Sequence, residues 1–323
     1  MSNKEIFSRT FGFSVRRFFF SILSFIVAAA ICVLGFMIGE KVLQKGLIGL
    51  VIGAVIGLIV LIILLRYVAY SCKAAQIAMM TRAVTTGELP DDVMAEGKRV
   101  VKSRFRTVAV YFALTGAIKG IFNQIGNALT KAGQKIGGDT GGSIGSAISA
   151  IISVIVAYLC DCCLGWVFYR EDIGSARATC EGAVLFFRHG KTFAKNMGRV
   201  FGLGLLSFIV IGGVFSGIFY FIALQFKDAF AQLALFVQEM AADMESKIPE
   251  FLQTPEGLTI AAAIICGIII WSIIHGTFIR PFVLTGVLRN YMTAGMNDIP
   301  TEDSFRVLDG RSAKFRKMHE QIV

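Results

Sequence analysis

Charged residues are scarce in this chain. Asp, Glu, Lys and Arg make up 17% of its 323 residues, and hydrophobic residues make up 55%. Soluble domains usually carry about a quarter of their residues as charged side chains. The low charged fraction therefore excludes an ordinary soluble domain and predicts an integral membrane protein.

Proline and tryptophan are also rare, with 5 and 2 residues, whereas phenylalanine is frequent, with 28. Few prolines suit long uninterrupted helices. The strands of an outer-membrane barrel would instead alternate apolar and polar residues, and the long apolar runs of this sequence do not. We expect an all-helical, polytopic fold in a single membrane domain covering residues 1–323.

Recognisable catalytic motifs are missing. The sequence has no phosphate-binding glycine loop, no HExxH motif and no Ser/His/Asp set in a recognisable context, and its three histidines (His189, His275 and His319) are far apart. We therefore expect neither an enzyme nor a cofactor.

The seven cysteines predict neither a disulfide framework nor a metal site. Their number is odd, and five of them fall on segments that we place in the reducing cytosol. Cys160, Cys162 and Cys163 form a C-x-C-C run inside an apolar helix, without the second cysteine or histidine pair of a zinc site. No metal is expected there.

Membrane spans follow from apolar stretches of roughly 20 residues, the length that crosses a bilayer. Five stretches qualify clearly: Phe18–Gly39, Gly46–Tyr70, Ile144–Phe168, Gly198–Leu224 and Leu258–Ile279. A sixth, Thr107–Leu129, has a short apolar half followed by polar residues. Its alternative is a re-entrant or interfacial helix.

The positions of the basic residues favour six spans and set an orientation. With six spans, most of the 32 Lys and Arg residues fall at the N-terminus, in the second and fourth connections and at the C-terminus, all on one side. The positive-inside rule makes that side cytosolic, with both termini. The net charge of +10 then predicts anionic lipid head groups as partners rather than nucleic acid.

The connections differ in character. Residues 71–106 predict a cytosolic elbow of two helices, broken near Gly87 and Pro90 and with Asp91 or Asp92 capping the second helix. Residues 225–257 predict an external, acidic amphipathic segment that lies on the surface or packs on neighbours. Residues 282–323 form a cytosolic tail.

Two ionisable residues inside predicted spans are candidates for a transport path. Asp161 is a carboxylate within an apolar span, with Arg170 and Arg177 as candidate partners; if the span ends earlier, it is interfacial. His275 is the only ionisable residue of the last span, and a structural histidine is the alternative interpretation.

The remaining candidate residues form one stripe of polar side chains and two stripes of glycines along predicted helices. Lys119, Asn123 and Asn127 share one face of the doubtful span and line either a cavity or its wet external end. The helix-packing candidates are Gly49, Gly53, Gly57, Gly213 and Gly217. Small residues four apart let helices approach closely, either within the chain or in a homo- or hetero-oligomer, or they line a pore.

One part of the sequence resembles a known family. The order SIGSAISAIISVIVAYLCDCC, WVFYREDIGSARATCEGAVLFFRHGKTFAKNMGRV and a Gly- and Phe-rich span, over residues 143–223, resembles the C-terminal half of the choline transporter-like proteins (solute carrier family 44). Residues 260–298 resemble that family's final segment. Family members are longer and have more spans, and no cation-binding residue is matched. The resemblance implies transport without assigning a site.

Two functions follow from these observations. The first is a transporter or permease-like protein for a small solute or lipid-related molecule, which should place polar groups around a cavity near the middle of the membrane. The second is a non-transporting scaffold or accessory subunit that binds anionic lipid or protein partners and has a dry, packed core.

Overall fold

The computed structural model describes residues 1–44, 46–65, 70–104, 111, 120, 141–243, 248–310 and 312–320. The regular elements within these ranges are all helical, which confirms the all-helical fold class. The predicted span 107–129 lies outside the described residues apart from residues 111 and 120.

The helices follow one another in chain order. They are α1 (Asn3–Leu43), α2 (Gly46–Leu64), α3 (Tyr70–Thr86), α4 (Val93–Ser103), α5 (Gly141–Tyr169), α6 (Ser175–Ser207), α7 (Gly213–Ala223), α8 (Lys227–Asp243), α9 (Pro255–Ile274), α10 (Arg280–Asn297), α11 (Glu302–Asp309) and α12 (Ala313–His319). Two π-helical segments, Phe208–Gly212 and His275–Ile279, precede α7 and α10. A 3₁₀ turn, Leu224–Phe226, joins α7 to α8.

Three helical stretches in the described part of the chain are long and apolar enough to cross a membrane: Asn3–Val42, Gly202–Ala242 and Pro255–Asn297. Shorter apolar helices cover Ile48–Leu64 and Ser153–Tyr169. Many of their large side chains are exposed, as at Phe19 (65%) and Val42 (71%). Such surfaces are stable against lipid, and this supports an integral membrane protein. The number of six spans and their orientation stay predictions.

The described helices differ from the predicted spans at their ends. The first span is predicted to begin at Phe18, but α1 begins at Asn3, where Ser2 and Glu5 form a reciprocal capping box. The fifth is predicted to begin at Gly198, but α6 begins at Ser175 and continues through that position. Hydropathy locates the apolar part of a helix, whereas caps and packing decide where the helix ends.

The segment after α2 contains the two helices expected of the elbow. Gly87 follows α3 with a φ of 78°, a left-handed conformation that glycine adopts without steric strain. The Asp92 side chain accepts a 2.8 Å hydrogen bond from the backbone N–H of Ala95 and so caps α4.

The described chain divides into two compact units, Met1–Phe201 with Arg280–Val323 and Gly202–Ile279. The first unit holds most of the buried residues, contributed by α3, α4, the C-terminal end of α5, the first half of α6 and α10 to α12. We call this the packed core. The N-terminal part of α1 belongs to it, because Ile6 and Phe13 are buried and Gln76 donates hydrogen bonds to the Thr10 carbonyl and the Ser14 hydroxyl.

Within the first unit, α1 and α2 pack closely along the predicted glycine stripe. A Cβ added at Gly49 would overlap the Gly35 carbonyl oxygen, and one at Gly53 or Gly57 would lie 2.9 Å from a backbone oxygen of α1. Only glycine permits this approach. A groove of about 350 Å³ on this helix pair is lined by glycines and aliphatic side chains.

In the second unit, the two helices that pack closely do not meet at the predicted glycines. A Cβ added at Gly213 or Gly217 meets no described atom within 4 Å. At Gly267 of α9 it would instead overlap the Ser216 hydroxyl and lie 2.8 Å from the Gly212 carbonyl oxygen. The contacting face of this helix carries Gly212 and Ser216, each one residue before Gly213 and Gly217, and a four-residue spacing of small residues fits either face.

Candidate functional site

Asp161 is the centre of a buried ionic cluster. Its carboxylate forms ion pairs with Lys73 of α3 and with Arg280, whose Nη2 donates a 2.6 Å hydrogen bond to Oδ2. The Asp161 side chain is 6% exposed. Arg280 Nη2 also donates to the Ala157 carbonyl, one turn earlier on α5, at 2.9 Å. These two hydrogen bonds fix the Arg280 guanidinium against α5. Both are charge-assisted, and such hydrogen bonds are stronger than those between neutral groups.

Arg17 of α1 adds a third positive charge. It interacts electrostatically with Arg280, with Asp161 and with the Cys72 thiol. Within the described ranges, its guanidinium has no carboxylate within ion-pair distance, since the carboxylate of Asp161 is shared by the other two cations. We call Arg17, Lys73, Asp161 and Arg280 the charged cluster, and it contains three cations and one anion.

Burial and neighbouring charges shift the pKa of Lys73, the residue of the cluster that can lose a proton. The pKa of Lys73 is lowered to about 8, first because burial removes water from the ammonium group and also because Arg280 and Arg17 lie nearby. The Asp161 carboxylate acts in the opposite direction. Arginine stays protonated at any ordinary pH, so Lys73 is the group that relieves the repulsion.

Each member of the cluster lies where an apolar helix meets the packed core. Arg17 immediately precedes the apolar run of α1, and Lys73 follows the apolar helix α2. Asp161 stands eight residues before the end of α5 at Tyr169, and every residue from Val156 to Phe168 except Ala157 is buried. Asp161 therefore lies in the buried part of α5, about two turns from the exposed residues Ser153 and Val154, and Arg17 lies directly before the exposed apolar part of α1.

The basic partners proposed for Asp161 from the sequence were wrong. Arg170 pairs with Glu181 at 2.8 Å and with Asp172 at 2.9 Å, and Arg177 donates to Glu302 at 2.5 Å. Arg170 is nine residues beyond Asp161 on the same chain, about 13 Å along a helix axis. Its side chain is too far along the helix to reach that carboxylate.

Glu181 forms a second buried polar group within the packed core. It accepts hydrogen bonds from the Trp166 indole N–H at 3.0 Å and from Arg170, and its side chain is 3% exposed. Burial raises the pKa of the Glu181 carboxyl, while Trp166 and Arg170 oppose that shift. This group joins the end of α5 to the start of α6.

The cysteines of α5 are buried free thiols. The Cys163 thiol donates to the Thr179 carbonyl at 3.5 Å, and the Cys160 carbonyl accepts a hydrogen bond from the Tyr111 hydroxyl. Among the described residues there is no group of three or more His, Cys, Asp or Glu side chains arranged to hold a metal ion. The Cys163 thiol lies between α5 and α6, close to Gly182.

His275 belongs to a separate polar group in the second unit. Its Nδ1 lies 3.3 Å from the Ser207 hydroxyl, which also accepts a 3.1 Å hydrogen bond from the Trp271 indole N–H. The rings of Trp271 and His275 lie 5.2 Å apart. Ser207 directly precedes one π-helical segment and His275 begins the other. The described contacts place Asp161 and His275 in different clusters, one in each unit.

The remaining path candidates Lys119, Asn123 and Asn127 lie outside the described residues. The sequence pattern did not predict Lys73 and Arg17 as partners of Asp161, and it indicated Arg280 only as a residue that flanks the last span. The sequence did contain a signal for these partners. All three cations adjoin an apolar stretch. The positive-inside rule also places them on the same side of the membrane as the C-terminal end of the span that contains Asp161.

No protein-family model, curated protein or solved structure matches the chain. The resemblance to choline transporter-like proteins therefore stays a prediction.

Proposed function

We propose that the protein is a non-transporting membrane scaffold or accessory subunit, whose packed core lies on the cytosolic side and whose basic residues bind anionic lipid head groups. The observation that carries this proposal is the charged cluster. The Asp161 carboxylate is paired with Lys73 and Arg280, and its side chain is buried among the described residues. An ion-paired carboxylate held in this way stabilises one arrangement of helices.

The described apolar helices support the same proposal. The groove on α1 and α2 offers a solute no hydrogen-bond donor or acceptor from a polar side chain. Substrate sites of transporters instead combine polar groups with interrupted helices near the middle of the bilayer. The closely packed glycine face of α1 and α2 suits a fixed hairpin, which anchors the core to the membrane.

A second candidate function is transport of a small solute, and one observation favours it. The two π-helical segments stand beside a polar group formed by Ser207, Trp271 and His275 within apolar helices. Local π-helical turns are frequent at functional sites, and an ionisable residue within a span is a default candidate for an ion or solute path.

Water access at Ser207 distinguishes the two functions without knowledge of a substrate. Ser207→Cys is treated with a membrane-impermeant thiol reagent in proteoliposomes, and modification is mapped by peptide mass spectrometry. For the scaffold we expect the thiol introduced at position 207 to stay unmodified from either side. Gln232→Cys, on the exposed surface of α8, is the positive control for reagent access. Modification at position 207 at a rate close to that at position 232 would favour transport and contradict the scaffold.

The cytosolic placement of the packed core has its own test. Ala313→Cys, at the start of α12, should react with an impermeant reagent only after cells are permeabilised, because the positive-inside rule places the C-terminal tail in the cytosol. Gln232→Cys should react in intact cells. The reverse pattern would overturn the orientation while leaving the scaffold function open.

A further inference from the structure

Among the described residues, no second carboxylate balances the cations of the charged cluster. Lys73 and Arg280 both pair with Asp161, and Arg17 interacts electrostatically with Arg280 and Asp161. A charge removed from water is stable only when it is paired and hydrogen-bonded. One carboxylate compensates one cation, so the described residues leave two positive charges uncompensated in a poorly hydrated place.

One atom of the cluster also lacks a hydrogen-bond acceptor. The Nε–H of Arg280 is buried and has no hydrogen-bond partner among the described residues, although Nη2 of the same guanidinium has two. A buried donor without an acceptor costs free energy comparable to a lost hydrogen bond. The excess positive charge and the unpaired N–H donor are independent observations. A bound oxyanion would balance the charge and accept a hydrogen bond from that donor.

The position of the charged cluster relative to the apolar helices indicates whether that oxyanion comes from lipid or from solution. The long apolar run of α1 begins directly after Arg17, and many of its large hydrophobic residues from Phe19 onward are exposed. In a membrane, the boundary between an exposed apolar helix and a polar core lies at the head groups, where basic residues meet lipid phosphate. A soluble anion would have to reach the same level from the aqueous side.

We propose that Arg17, Lys73 and Arg280 bind the phosphate group of an anionic membrane lipid, with Asp161 as the internal counter-ion that positions Lys73 and Arg280. This inference rests on the proposed function and names the site at which the lipid binds. Arg17 supplies a charge that no described carboxylate pairs. Arg280 supplies a fixed guanidinium, which suits the planar recognition of phosphate oxygens.

Native mass spectrometry of the purified protein tests the site. The protein is exchanged into detergent containing phosphatidylglycerol or phosphatidylcholine, and the number of retained lipids is counted for the wild type, Arg17→Gln, Lys73→Gln and Lys102→Gln. Lys102 is an exposed residue of α4 and serves as the control for a lost surface charge. We expect the wild type and Lys102→Gln to retain phosphatidylglycerol, and the two cluster variants to retain it about fivefold less.

Arg17→Gln is the most informative variant, because Arg17 forms no ion pair with the described carboxylates and its loss should leave the fold intact. Equal retention of phosphatidylglycerol by Arg17→Gln and Lys102→Gln would overturn the proposal. Displacement of the bound lipid by millimolar inorganic phosphate would also overturn it, since the site would then belong to a soluble anion. Either result would leave the scaffold function standing, because that function is tested by water access at Ser207.

Discussion

Arg280 at the start of α10 donates a 2.6 Å hydrogen bond to the carboxylate of Asp161, although the two residues are 119 positions apart in the chain. The same guanidinium reaches the Ala157 carbonyl on α5. This contact joins α10 to α5 at a carboxylate whose neighbours from Tyr158 to Phe168 are all buried. Lys73 brings α3 to the same carboxylate, so one side chain holds three helices together.

Removing the carboxylate should destabilise the first unit strongly. Asp161→Asn leaves three cations with no anion, and breaking a buried ion pair by removing one partner costs about 3 kcal/mol or more. Thermal unfolding in neutral detergent, followed through Trp166 fluorescence, measures the loss. Asp172→Asn is the matched control, because Asp172 is the exposed partner of Arg170 and its side chain is 64% exposed. Equal effects of the two variants would contradict a central role for Asp161.

The glycine faces allow a paired test of helix packing. Gly49→Ala should destabilise the α1–α2 hairpin by about 1 to 3 kcal/mol, because the new methyl group would meet the Gly35 carbonyl oxygen of the backbone. Gly213→Ala should be tolerated, since no described atom lies within 4 Å and alanine favours the helix by about 1 kcal/mol. Thermal unfolding in detergent measures both. Similar losses in the two variants would show that Gly213 packs against a neighbour.

The buried Glu181 predicts a defined pH dependence. Because burial raises its pKa in the folded protein, the folded state holds a proton that the unfolded state has released, and stability contributed by Glu181 falls as pH rises from about 4.5 through the raised pKa. Glu181→Gln keeps an acceptor for the Trp166 indole and should flatten this part of the stability profile. The measurement is the melting temperature between pH 4.5 and 8. An unchanged profile in Glu181→Gln would exclude Glu181 as its source.

Lys73 predicts the opposite trend at higher pH. In the absence of anionic lipid, its folded pKa of about 8 lies below its ordinary value of 10.5, so the unfolded state binds more protons between these values and stability rises with pH. Lys73 faces Asp161 of α5, Arg280 of α10 and Arg17 of α1. Lys73→Arg cannot lose its charge and should show no such rise. The comparison uses melting temperatures from pH 7 to 10, and parallel curves for the two proteins would contradict the assignment.

The sequence predicted those features that depend on local composition. Apolar runs located the lipid-exposed helices, and Gly87 with Asp92 located the break and the cap of the elbow. The regular spacing of Gly49, Gly53 and Gly57 predicted a face that packs on another helix. Each of these is set by residues close together in the chain.

Features that depend on distant residues were not predicted. Sequence proximity suggested Arg170 as the partner of Asp161, but helix geometry carries Arg170 about 13 Å away, and tertiary packing supplies Lys73 and Arg280 instead. The helix face that contacts α9 carries Gly212 and Ser216 rather than Gly213 and Gly217, and the four-residue spacing of small residues does not decide between these two faces. Hydropathy contains no information about either effect, because it treats each residue without its neighbours in space.

The most direct test of the proposed lipid site compares the stability of Arg17→Gln with that of the wild type, with and without anionic lipid. In nanodiscs of phosphatidylcholine alone, the variant should melt at or above the wild-type temperature, because it removes a cation that no described carboxylate pairs. In nanodiscs containing phosphatidylglycerol, the wild type should gain stability, and the variant should gain less. If phosphatidylglycerol stabilises both proteins equally, the charged cluster does not bind lipid phosphate and the account is wrong.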